Sequence, residues 1–228
     1  MFYPKIFCAK NGGSTIFKSA TSKVVCVGRN YAAHAAELNN PIPEEPLLFI
    51  KSTNTLVDLE GVIAIPTNQG ECHHELEIAI LIGNSLASAT ESEILVAIVG
   101  IGLALDLTLR DLQKQLKENR QPWEKAKSFD GACPVSRFID AEHFGDLSSE
   151  LTELDFLMKK NGQTAQQGNS GNMLFNIVML IQEISRHFTL YPGDIVLTGT
   201  PEGVASLKSG DQLQFRLQDR HLASTNII

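Results

Sequence analysis

Two glutamates, Glu75 and Glu77, stand two residues apart in the run ECHHELEIAI (71–80), whose strand-like alternation puts them on one face with Glu71 and His73. Like charges that close repel unless a cation joins them, so the pair points to a metal site. A carboxylate donor set favours a hard divalent ion such as magnesium or manganese. The competing reading is a strand whose charged face meets water while His74, Leu76, Ile78 and Ile80 face the core. The best third carboxylate is Asp106, which ends the apolar run IVGIGLAL just before a helix-like segment and could otherwise be a turn residue. His73 and His74 are softer ligands, and they are given hydrogen-bonding or structural roles.

A second constellation lies in GRNYAAHAAEL (28–38). His34 and Glu37 are three apart, so on a helix the carboxylate can orient and charge-stabilise the imidazole as a general base; solvated surface neighbours show the same spacing. Four cations interrupt apolar or turn-rich text: Arg29, Lys51, Arg110 and Lys127. Each reads as a surface charge or as a group for a bound acid, and Lys51 and Lys127 could reach a carboxylate from loops. Thr198-Gly199-Thr200-Pro201 ends a strand in hydroxyls and free N–H groups that can hold an anion's oxygens, or is an ordinary Gly-Pro turn.

The elements that position these groups are mostly strands. Strand candidates are KVVCVG, GVIAIP, LEIAILIG, VGIGLALDLT, ELDFLMKKNG, DIVLTG and DQLQFRL, separated by Gly, Asn, Asp and Pro turns. Helical patterns are expected over 31–38, 108–119 and 172–188, the second opened by a capping box of Thr108 and Asp111. The result is a β-rich α+β fold with one main domain over residues 21–228. It is preceded over 1–20 by a small hairpin or arm turning at Asn11-Gly12-Gly13. GIGLAL (100–105) imitates a dinucleotide fingerprint but lacks its third glycine and its helix, so Gly100 and Gly102 are read as relieving crowding in a strand.

The 228 residues, 43% hydrophobic with a net charge of −7, can bury a large core and argue against a broad nucleic-acid or anionic-membrane surface. A small-molecule partner is the better expectation. Cys8, Cys26, Cys72 and Cys133 are scattered and read as reduced core thiols. With no secretory signal and no membrane-length apolar run, a soluble cytoplasmic protein is expected. The region around His34 is the candidate for a lid, because a short alanine-rich helix followed by Asn39-Asn40-Pro41 has little to anchor it.

Taken together, VCVGRNYAAHAAEL, PLLFIKS, HHELEIAILIG, ALDLTLRDLQ, WEKAKSFDGACPV, GNSGNMLFNIVMLI and YPGDIVLTGTPEGV resemble, in order, the fumarylacetoacetate hydrolase superfamily and its small acylpyruvase and oxaloacetate decarboxylase-like branch. The resemblance implies a mixed β-sheet roll with a few short helices, a homodimer, and one Mg2+ or Mn2+ per chain on Glu75, Glu77 and Asp106. It places the His–Glu base on His34 and Glu37 and the active-site lysine on Lys127. Arg110, Gln113, Thr198 and Thr200 fall on its substrate side. The implied activity is metal-dependent C–C cleavage of small 2-oxo acids of the acylpyruvate type, with oxaloacetate decarboxylation beside it. The alternatives are an isomerase or decarboxylase of unsaturated diacids such as 2-hydroxyhepta-2,4-diene-1,7-dioate, or a non-catalytic metal and small-acid binder. Leu107, Leu109 and the KSTNT loop depart from the family pattern and bear on the substrate pocket.

Overall fold

The structure, a computed structural model, describes residues 1–8, 13–37 and 41–228. Its architecture is α+β with three sheets and, among the described residues, six α-helices. The largest sheet has ten strands, and its central order runs Ile98–Leu105, Leu76–Ile82, Ile195–Leu197, Val24–Gly28, Leu47–Lys51. Parallel and antiparallel pairings mix within it: Ile195–Leu197 pairs parallel to Val24–Gly28 and antiparallel to Leu76–Ile82. A five-stranded sheet carries the C-terminal strands Gln212–Leu217 and Arg220–Ile227, and a three-stranded one holds Cys72–His74 between Thr108–Leu109 and Ala205–Ser206.

The strand Leu76–Ile82 shows why the chain folds this way. All seven residues are buried, so the sheet is covered on both faces. Leu76, Ile78, Ile80 and Ile82 enter the larger core, while Ala79 and Leu81 enter a second one with Val24, Cys26, Ala104, Cys133 and Leu197. Each such leucine or isoleucine contributes about 1.5–3 kcal/mol by leaving water. The glutamate face therefore continues into hydrocarbon, and the reading of a solvent-facing strand does not hold. The four acidic and imidazole residues are also not on one unbroken strand, because the pairing is interrupted at Glu75. Glu71 and His73 instead pair near the surface at 3.1 Å.

Gly100 and Gly102 make room for a neighbour, as expected. A Cβ on Gly100 would lie 2.9 Å from Phe138 Cβ, and one on Gly102 would lie 2.9 Å from Ser136 Oγ.

Helices α1 (Ala32–Glu37), α2 (Glu91–Ala97), α3 (Arg110–Glu118), α4 (Glu124–Lys127), α5 (Leu147–Glu150) and α6 (Ile177–His187) sit around the sheets. The expected start of α3 is corrected. Thr108 lies in a short strand, its hydroxyl donating to Asp106 O at 3.2 Å, and Asp111 accepts the Glu71 N–H at 3.1 Å. Competition from that long-range partner removes the capping box there. The capping box forms instead at α2, where Thr90 N–H donates to Glu93 Oε2 at 2.8 Å. Likewise α6 starts at Ile177, not at residue 172, because the Asn176 side chain accepts the Met179 N–H at 2.9 Å.

At the N-terminus Lys5–Cys8 pairs antiparallel with Gly13–Ile16 and parallel with Phe138–Asp140. The segment thus extends the main sheet. Most of the turn expected at Asn11-Gly12-Gly13 lies outside the described residues, as do Asn39 and Asn40, which follow the helix of the lid candidate. Helix α1 itself is anchored, with Ala35 and His34 buried. Among the described residues no helix is long and apolar enough to cross a membrane.

Candidate active site

Glu75 sits at the break between two strands, Glu77 one turn of the pleat further along, and Asp106 just past the end of the adjacent strand Ile98–Leu105. Because Leu76 pairs with Leu105, strand register alone brings Asp106 beside the glutamates. A hydrogen bond from Asp106 N–H to Glu75 O, at 2.9 Å, fixes this approach. Ligand oxygens of the three carboxylates lie within 4.8 Å of one another, and all three residues are buried.

Cations surround the cluster. Lys127, at the end of α4, places its ammonium 2.8 Å from Glu75 Oε2 and 2.5 Å from Asp106 Oδ2. Arg110 donates to Glu75 Oε1, and Lys51 lies 2.7 Å from Asp106 Oδ1. Burial opposes the charge on Lys127, but Asp106 and Glu75 outweigh it and hold the ammonium above its ordinary pKa. Burial raises the Glu75 carboxyl, yet Lys127 and Arg110 carry it well below the usual carboxylate range. Glu77 goes the other way: burial pushes it up, and Asp106 and Glu75 push it further. Its strongest local support is the Gly199 N–H, donated to Oε2 at 2.6 Å. Gly199 has φ +94°, and a Cβ there would lie 2.7 Å from Asn30 Cβ, so the amide reaches Glu77 only from glycine.

This donor set fits a divalent cation. Three converging, buried, oxygen-only ligands are hard donors, and the like charge that raises Glu77 is what a cation relieves.

His34 lies on the wall of the same cleft, its Nδ1 3.3 Å from Glu37 Oε2. Glu37 also accepts the Gly203 N–H through Oε1 at 3.1 Å. If Nδ1 carries the proton shared with Glu37, Nε2 is left as the basic nitrogen. Arg29, Arg110, Gln113, Lys127 and Thr200 line the cleft with the three carboxylates. Gln113 Oε1 accepts from Arg110 Nη1 at 2.8 Å, which leaves the Gln113 amide N–H groups for a ligand. Thr200 Oγ1 accepts from Gln166 Nε2 at 2.9 Å, so its own proton is free to donate.

Two expected substrate contacts are not brought to the cleft. Lys51 is fully buried at the end of its strand, where its ammonium donates to Leu107 O, Lys127 O and Ala132 O behind Asp106. The Thr198 hydroxyl donates to Ile78 O at 3.1 Å. Both are spent on the scaffold.

Several residues of the site were not singled out by spacing or residue type in the sequence. Phe49 and Trp123 stack edge to face at 6.4 Å on the cleft wall, with Lys117 over Trp123 and Lys127 over Phe49, each 5.2 Å from the ring centre. Asn30 is wholly buried and donates to Thr198 O and Phe175 O while accepting the Phe175 N–H. Gln166 joins His74 and the Leu76 N–H to Thr200 and Pro201 O. Burial holds His74 down to about 4, so it is a neutral partner of Gln166. Their sequence signal was their place in the runs VCVGRNYAAHAAEL, PLLFIKS and WEKAKSFDGACPV, which hold Asn30, Phe49 and Trp123; Gln166 had none.

The family model for the fumarylacetoacetate hydrolase C-terminal region matches residues 23–226. The chain belongs to that family. It is 50% identical over 208 residues to the oxaloacetate tautomerase YcgM of Escherichia coli, covering 91% of this chain and 93% of the relative. It is 40% identical over 193 residues to a mitochondrial oxaloacetate decarboxylase of Dictyostelium discoideum, covering 84% and 87%. The crystal structure of fumarylpyruvate hydrolase from Pseudomonas aeruginosa, in complex with Mn2+ and pyruvate, superposes with a TM-score of 0.88 at 28% identity, covering 99% of this chain and 96% of that one.

Proposed function

We propose that this chain is a divalent-metal-dependent enzyme of small 2-oxo acids, with oxaloacetate as substrate and interconversion of its keto and enol forms as principal reaction. The observation that carries this reading is the convergence of Glu75, Glu77 and Asp106 with His34 in one cleft also lined by Arg110 and Lys127. The choice of reaction is supported by the 50% identity to an oxaloacetate tautomerase. It gives precedence to proton transfer over the C–C cleavage expected from sequence.

Glu75, Glu77 and Asp106 would hold magnesium or manganese, which would supply Lewis acidity favouring negative charge on the oxo oxygen. The protein does the rest. Arg110, the Gln113 amide and the Thr200 hydroxyl hold the carboxylate end of the acid, which fixes the C3 hydrogens toward His34. In the keto-to-enol direction His34 Nε2 takes a proton from C3 and the enolate oxygen receives one, and in the reverse direction the enol oxygen gives up its proton and His34 returns one to C3, with Glu37 fixing the tautomer and steadying the imidazolium. The Lys127 ammonium stabilises the oxyanion.

The second reading is C–C cleavage. An acylpyruvate would use the same cleft with His34 activating water, giving pyruvate and a carboxylic acid; oxaloacetate would lose carbon dioxide without water attack. The pyruvate bound in the fumarylpyruvate hydrolase structure favours keeping it. The proposed enzyme is a cytoplasmic homodimer.

The test follows C3 hydrogen–deuterium exchange and enol absorbance of oxaloacetate, with pyruvate release measured in parallel for oxaloacetate and an acylpyruvate. Exchange and enol decay faster than pyruvate release support tautomerisation first. Acceleration of none of these by Mn2+-loaded protein would refute an enzyme of this class.

A further inference from the structure

The carboxylates of the cleft are matched by cations: Glu75 by Lys127 and Arg110, and Asp106 by Lys127 and Lys51. Two more cations line or border the same space without an ion-pair partner among the described residues, Arg29 and Lys117. Lys117 projects from the last turn of α3 over the face of Trp123. Its charge is crowded: burial first, then Arg29, Arg110 and Lys127, hold its ammonium below the ordinary lysine value. Arg29 is held in the left-handed region at φ +61°, a conformation that costs a non-glycine residue free energy. Asn30, fully buried and hydrogen-bonded to Thr198 O and Phe175, pins the next residue and so fixes where Arg29 stands.

Unpaired cations gathered in a partly desolvated cleft repel one another, and an anion relieves that repulsion. The oxo and carboxylate oxygens at one end of the substrate are taken up beside Glu75, Glu77 and Asp106. We infer that Arg29 and Lys117, backed by Trp123, form a separate anion subsite for the second carboxylate of a dicarboxylic 2-oxo acid. This rests on the proposed function and narrows it. The subsite selects four-carbon diacids over monoacids, and it leaves the proton-transfer step to His34.

The test compares oxaloacetate with its 4-ethyl ester, which keeps the skeleton and removes the distal charge. Lys117→Met keeps an unbranched apolar stem on Trp123, and Arg29→Gln removes the second charge. In the native protein kcat/KM favours the diacid by about tenfold or more, the value of a charge-assisted hydrogen bond. In either variant that ratio collapses toward one, mainly through KM for the diacid, while Mn2+ affinity measured by calorimetry stays the same. An unchanged ratio, or an equal loss on acid and ester, would overturn the subsite.

Trp123 is the one tryptophan of the chain, so its fluorescence gives a second readout by binding alone. Should the Mn2+-loaded native protein bind both ligands and turn over neither, the functional reading fails, and the affinity ratio in native and variant proteins decides the subsite separately. Equal affinities in the native protein would overturn it.

Discussion

Lys51 Nζ lies 2.7 Å from Asp106 Oδ1, and both side chains are buried. The lysine approaches from behind the cleft and also donates to the carbonyls of Leu107, Lys127 and Ala132, so it ties Asp106 to the residue whose ammonium faces Glu75 and Asp106 in the cleft. Removing one member of such a pair leaves a buried charge and several carbonyls without a donor. Lys51→Met is therefore expected to lose about 3–5 kcal/mol of stability in urea unfolding, and to bind Mn2+ more weakly in calorimetry. Native stability in this variant would contradict the scaffold role.

Asp106→Asn and His34→Ala separate two parts of the chemistry. Loss of an outer partner of a metal ligand typically costs about 10- to 100-fold in affinity; Asp106→Asn, which alters a proposed ligand itself, is expected to lose at least that and all turnover. His34→Ala is expected to keep Mn2+ affinity and lower enol interconversion and acylpyruvate hydrolysis by about 10²–10⁴-fold. Pyruvate release from oxaloacetate, which needs no water attack, falls less. Equal loss of every activity in His34→Ala would count against a separate base.

The part of the site legible in the sequence was the part whose chemistry is local. Glu75 and Glu77 are two residues apart in one extended run, His34 and Glu37 lie on one helix and Arg110 and Gln113 on another, so spacing alone brought each pair together. Asp106 was reachable because an acidic residue closed an apolar run. Lys51 was misread for the opposite reason: a lysine after LLFI looks like the start of an exposed loop, and only the closing of Cys133–Val135 on Leu56–Asp58 and the turn of α4 bury it. The capping box misplaced at Thr108 failed similarly. Asp111 is held by Glu71 and packed over Gly70, where a Cβ would lie 2.6 Å from its Oδ2, a contact 41 positions away in sequence that no local pattern reveals. Trp123, Lys117 and Gln166 act through tertiary neighbours, and their types carry no spacing signal.

Gln166 makes the clearest of those long-range claims. Its side chain accepts from His74 and the Leu76 N–H and donates to Thr200 Oγ1 and Pro201 O, joining the five-stranded sheet to the strand of the glutamates. Gln166→Ala strands buried partners at 1–3 kcal/mol each in the worst case, and water entering the gap offsets part of that, so a net loss of about 2–3 kcal/mol is expected. Freed of its donor, Thr200 also loses its orientation, and KM for oxaloacetate rises. Urea unfolding and steady-state kinetics on the same preparation check both, and a variant unchanged in stability would remove the cross-link from the account.

The central claim is that Glu75, Glu77 and Asp106 together hold the catalytic cation. Crystals grown with MnCl2 and oxalate, with anomalous scattering recorded at the manganese edge, test it directly. The account predicts one peak per chain with a carboxylate oxygen of each of the three residues at about 2.0–2.3 Å, and oxalate on the side facing Arg110 and His34. A peak that omits Asp106, or no peak between these carboxylates at saturating manganese, would contradict it.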